Sequence, residues 1–117
     1  MSENQTFIAD NDLDSYQYHI MVNSGGLQVD RVATANVLSV GVLQNKPKAD
    51  ENATVCVAGV CRIRAGGTIV GGNEFTVTAS ATATAAGSGA YILGLALTSV
   101  ASGGNFQGII THSGYKG

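Results

Sequence analysis

Apolar and polar residues trade places along this chain in short runs, and glycine, asparagine or serine ends each run. Tyr16-Gln-Tyr-His-Ile-Met-Val22 is rich in strand formers and leads into the turn Asn23-Ser-Gly-Gly26. Leu27, Val29 and Val32 resume the alternation, with Gln28 and Asp30 between them. Val37-Leu-Ser-Val-Gly-Val-Leu43 is a second apolar run, closed by a loop from Asn45 to Asn52 that holds the only proline and a cluster of charges. Ala53 to Ala58 and Val60 to Arg64 alternate on either side of Gly59, which predicts a hairpin with Ala58-Gly59 at its tip. Such a hairpin would set Cys56 opposite Cys61.

Glycine pairs at 66-67 and 71-72 then flank Thr68-Ile-Val70, and Phe75-Thr-Val-Thr78 reads as a strand. Ala79 to Ala86 has the alanine content of a helix, but threonines at 76, 78, 82 and 84 favour an extended edge. Ala90 to Leu97 and Asn105 to His112 are the last two strands. No long window carries a helical stripe bounded by caps. The expected fold class is all-β: a small barrel or sandwich of short strands.

Residues 1 to 15 break the pattern. They hold Glu3, Asp10, Asp12 and Asp14, half of all the acids, and no base. Phe7, Ile8 and Leu13 lie among them without a sustained period. The expectation is an extended N-terminal arm, 1-15, ahead of a single β domain, 16-117.

A weak internal echo also runs through the chain. Val40-Gly41-Val42 and Leu93-Gly94-Leu95 are both apolar-Gly-apolar strand centres. Each is followed by a strand led by asparagine, Asn52 or Asn105, and preceded by another strand, Ile20-Met21-Val22 or Phe75-Thr76-Val77. Two similar β units folded against each other would explain this.

Composition removes whole classes of function. Only 12% of the 117 residues are charged, with six basic residues against eight acidic, so no nucleic-acid footprint exists. The most apolar stretch is far too short to span a bilayer, so no membrane partner is expected. Cys56 and Cys61 lack the paired spacing of a zinc site, and the acids of the first segment lack the glycine and final glutamate of a calcium loop. His19 and His112 have no Gly-x-Ser-x-Gly elbow to serve, and the glycine pairs form no phosphate cradle. No enzyme, no cofactor and no metal follow from these residues. Arg62 and Arg64 share a strand face, close to Lys46 and Lys48 in sequence, and could make a small basic patch for an acidic partner surface.

Four strings, in order, cover most of the chain: Val40-Gly-Val-Leu-Gln-Asn-Lys-Pro47, Asn52-Ala-Thr-Val-Cys-Val-Ala-Gly-Val60, Arg64-Ala-Gly-Gly-Thr-Ile-Val-Gly-Gly72, and Tyr91-Ile-Leu-Gly-Leu-Ala-Leu97 with Ser102-Gly-Gly104. Together they resemble the capsid decoration proteins of tailed bacteriophages, also called head-stabilising or cement proteins. The resemblance implies a non-enzymatic virion protein, made in the host cytoplasm, that binds the outer surface of the mature head. Its partners would be the major capsid protein and itself, as a homotrimer bridging capsid subunits at three-fold or quasi-three-fold positions. The residues expected at the capsid interface are Phe7, Ile8, Leu13, Tyr16, Lys46, Lys48, Arg62 and Arg64. The competing expectation is a head fibre or a carbohydrate-binding adhesion module, disfavoured by the absence of Trp and by an aromatic content of 6%.

Overall fold

Alternation with frequent turn residues yields strands throughout. A computed structural model describes residues 2-35, 39-87 and 89-115, and among them there are nine strands and no helix. The strands are β1 (Ser2–Ala9), β2 (Ile20–Gly25), β3 (Gln28–Arg31), β4 (Gly41–Leu43), β5 (Asn52–Arg64), β6 (Glu74–Val77), β7 (Ala83–Ala85), β8 (Tyr91–Ala96) and β9 (Asn105–Tyr115). They form one sheet in the order β1-β3-β2-β4-β5-β9-β8-β6-β7, and β1 also pairs with β5. That extra pairing returns the first five strands upon themselves. In the second half only the single bridge Ala65↔Ala83 plays the same part, so the sheet is a partial ring rather than a closed barrel.

The two halves repeat one another pairing by pairing. In the β2–β3 hairpin Met21, Val22 and Asn23 oppose Arg31, Asp30 and Val29; in β6–β7 Phe75, Thr76 and Val77 oppose Ala85, Thr84 and Ala83, at a constant shift along the chain. Val42↔Cys56 and Leu43↔Val55 return as Leu95↔Ile109 and Ala96↔Gly108. Loop hydrogen bonds follow suit. Leu13 N donates to Pro47 O at 2.9 Å, and Ile69 N to Val100 O at 2.8 Å; Asp50 N donates to Ala9 O at 2.9 Å, and Gly103 N to Ala65 O at 2.8 Å. The echo in the sequence is therefore a structural repeat, with Met21 matching Phe75, one position earlier than the sequence suggests.

The central glycines of the echo have a steric cause. A Cβ on Gly41 would collide with the carbonyl oxygen of Cys56, and one on Gly94 with that of Ile109, which is the equivalent atom of the other half. Each half buries its own apolar set. The smaller cluster holds Ala9, Leu13, Met21, Val29, Leu43, Ala53 and Val55. The larger one surrounds Phe75, Phe106, Ile63 and Leu93 and takes in Ile20, Val42 and Cys56 from the first half, which welds the two together.

Three expectations change. The alternation around Gly59 is not a hairpin: β5 is one strand, and Gly59, at φ 80°, is a local irregularity where its antiparallel partner passes from β1 to β9. Cys56 opposes Val42 and Cys61 opposes Gly108; both are free, buried thiols of the larger cluster. Secondly, residues 1 to 15 do not lie wholly outside the core. Ser2–Ala9 pair along β5, Phe7 and Ile8 are half-buried, and Ala9 and Leu13 are 0% and 1% exposed, because the apolar side chains of Phe7, Ala9 and Leu13 are drawn onto the smaller core cluster. Thirdly, the strand expected from Tyr16 begins only at Ile20, since Tyr18 sits at φ 69° in a turn. Of the run 37-43, residues 37 and 38 lie outside the described residues, and Gly41–Leu43 form β4.

Candidate functional site

The turn between β1 and β2 builds a surface that gathers acidic, basic, aromatic and amide side chains. Tyr16 N donates to Leu13 O and His19 N to Tyr16 O, both at 3.0 Å, which winds the segment tightly. Tyr18 is then clamped from two sides. Its N–H donates to Leu43 O at the end of β4 (2.7 Å), and its carbonyl accepts from Arg64 N at the end of β5 (2.8 Å). These two bonds hold its backbone in the left-handed region. Gln17 donates through Nε2 to Gln44 O at 3.0 Å.

Beside this turn lies an open recess of about 340 Å³, lined by Asp14, Ser15, Gln17, Tyr18, His19, Lys46, Arg64 and Asn105. The first six and Arg64 gather the end of the first half, while Asn105 begins β9; the recess sits where the halves join. Arg62 extends the cationic surface, its guanidinium 5.7 Å from the centre of the Tyr18 ring. Arg31 stands over Tyr16 at 5.2 Å, and His19 meets Tyr16 edge-on at 5.3 Å.

His19 is half-buried, and its Nδ1 lies 3.1 Å from Gln17 O; a carbonyl only accepts, so Nδ1 carries the proton. Burial, seconded by the charge of Arg64, lowers the His19 pKa from its usual 6.5, against an opposing hydrogen bond to Gln17. At neutral pH the ring is therefore uncharged, and the positive charge of the recess comes from Lys46 and Arg64. Among the described residues no group of three or more metal-ligating side chains occurs.

The interface residues expected from the sequence fall into three groups. Lys46 and Arg64 line the recess and Arg62 borders it, so these three converge. Tyr16 stands nearby, packed with the half-buried Phe7 against the smaller core cluster, and Ile8 is half-buried on β1 where it opposes Asn52. Leu13 is inside the core, and Lys48, two residues beyond Lys46 in the same loop, has its backbone N–H bonded to Glu51 Oε1 at 2.7 Å; neither lines the recess. Sequence reasoning missed Tyr18, His19 and Asn105 as members of this surface. Their one legible signal was two rings in a row, Tyr18-His19, just ahead of an apolar strand. His112, remote from the recess, joins Tyr91 OH (2.8 Å) and Val57 O (3.1 Å), which ties β9 to β8 and β5.

No protein-family model matches this chain, and no curated protein matches its sequence. Among solved structures it is similar to head fiber gp8.5 N base in bacteriophage phi29, with a TM-score of 0.76 and 17% sequence identity over 100% of both chains. At that identity the likeness establishes a shared fold.

Proposed function

We propose that this chain is a structural protein of a phage virion that attaches to the outer surface of the head through contacts with the major capsid protein. The observation that carries it is the likeness, from end to end of both chains, to the base of a phage head fibre. A welded pair of β units with few charges suits a rigid attachment module, and no constellation for catalysis was found along the sequence. The contact face on this proposal is the surface of Lys46, Arg62 and Arg64 with Tyr16 and Tyr18, because it joins cationic groups to aromatic ones at one place.

Two modes of attachment are consistent with it. As a cement protein the chain would bridge capsid subunits, as a homotrimer at three-fold or quasi-three-fold positions, and stiffen the shell. As a fibre base, which the structural likeness favours, it would anchor an appendage at fewer sites. Co-sedimentation with expanded heads that lack the protein separates them. Saturation near one copy per capsid subunit, with raised thermal stability of the heads, marks cement; saturation at far fewer copies with unchanged head stability marks a fibre base. A folded protein that does not sediment with heads would overturn the proposal.

A further inference from the structure

The recess lies where the two halves of the molecule ought to be alike and are not. Tyr18 occupies the place of Gly72. Tyr18 N donates to Leu43 O and Gly72 N to Ala96 O, each at 2.7 Å, and both residues have left-handed φ, 69° and 93°. That conformation is free to glycine and strained for a bulky side chain. Three neighbouring positions change in the same direction, although Ile20 is matched by the charged Glu74. Gln17 stands for Gly71, His19 for Asn73 and Lys46 for Ser99, so the second half is small and neutral where the first presents a ring, an imidazole and an ammonium. A strained aromatic kept where the fold itself accepts glycine points to a use for its side chain.

The chemistry of the surroundings narrows that use. Lys46, Arg62 and Arg64 have no ion-pair partner among the described residues. Tyr18 supplies the face over which Arg62 lies, 5.7 Å away, and Gln17, Asn105 and the Tyr18 hydroxyl add neutral polar groups. Asp14 is the one acid of the lining. Two cations opposed by one carboxylate match a monoanion better than a phosphate dianion, and the chain lacks the run of bases that a polyanion needs. The planar fork of Arg64 favours a planar, two-oxygen acceptor.

We propose that this recess binds the carboxylate of an acidic side chain on the partner protein, with Arg64 and Lys46 supplying the charge and Tyr18 forming its wall while keeping Arg62 stacked at its border. It takes the identity of that partner, the head, from the function proposed above; the carboxylate chemistry stands apart from it.

The test uses the full chain and propionate, which reproduces the end of a glutamate side chain, with propionamide as the neutral isostere. Titration followed by amide NMR should give saturable shifts at Tyr18, His19, Arg64 and Asn105 with propionate and none with propionamide. Arg64→Gln should abolish saturation. Tyr18→Gly, which copies the second half, should melt no lower than wild type yet weaken propionate binding at least fivefold. Equal shifts with the amide, no saturable shift at the recess, or wild-type binding by Tyr18→Gly would each overturn the proposal. The same variants are then tested on heads. If wild type sediments with heads and Arg64→Gln does so equally well, the recess is not the contact and head attachment stands. If wild type binds propionate but no heads, the carboxylate site stands and head attachment falls.

Discussion

The two halves of this molecule share a backbone but fill it differently. Where the first half buries Met21 and Ala53, the second buries Phe75 and Phe106, whose rings meet edge-on at 5.2 Å. The added volume is offset at three matched positions. Val29, Leu43 and Val55 give way to Ala83, Ala96 and Gly108, and a Cβ at Gly108 would already press on both rings, at 3.0 and 3.1 Å. Side-chain bulk is thus redistributed among matched positions, large opposite small, so that both sets pack on one backbone. What stays constant is the ladder and the turn hydrogen bonds, which depend on the backbone alone. What drifts furthest is the surface: cationic and aromatic beside Tyr18, small side chains with one acid, Glu74, beside Gly72.

The largest effect should come from the feature the halves hold in common. Gly41→Ala and Gly94→Ala each force a methyl group against a neighbouring strand's carbonyl, and each should cost about 3 kcal/mol, read from urea denaturation midpoints. A mild effect in one half alone would mean that its strands can move apart and that the repeat is not mechanically equivalent. The next contrast probes where the halves differ. Phe75→Ala should cost about 4 kcal/mol and its counterpart Met21→Ala about 3, since Phe75 belongs to the cluster that joins both halves. Equal losses, or the reverse order, would refute the idea that the second half carries the junction.

The smallest contrast is one of pH. His19 has a lowered pKa in the folded protein, so the unfolded chain takes up its proton first. Its contribution to stability is present above the ordinary value near 6.5 and is lost as pH falls through the depressed folded value. The charge of Arg64 opposes that protonation; Lys46 and Asp14, of opposite sign, line the same recess. His19→Asn installs the residue of the second half, Asn73. It should flatten the decline in melting temperature between about pH 7.5 and pH 5, a modest change for a half-buried ring. An undiminished decline would assign the pH response to other groups.

Much of the fold was legible because alternation and turn glycines act locally. The repeat was legible only at Gly41 and Gly94, where the backbone approach forbids a side chain, and at Asn52 and Asn105. Elsewhere the ladders constrain no side chain's identity, and Glu74 in the place of Ile20 hides the true match by one position. The continuity of β5 was not legible, since a glycine between two alternating runs fits a hairpin tip as well as an irregularity within one strand. β1 was masked by its polar start, Glu3 to Thr6, all exposed, and by the acids at 10, 12 and 14 that follow it. The basic part of the recess could be anticipated from Arg62, Arg64 and Lys46. Its assembly could not, because residues 14, 15, 17-19, 46, 64 and 105 meet only through the tertiary pairing of both halves.

Because β5 belongs to both halves, no linker separates them, and this has a mechanical meaning. A pull along that strand is carried from one half to the other through a single extended backbone. The hydrogen bonds that tie β5 to β1 and β9 stand perpendicular to it, so the load reaches them in shear, many at once, instead of peeling them in turn. A part fixed to a shell under internal pressure, or dragged by an appendage, would transmit such force without a hinge to yield.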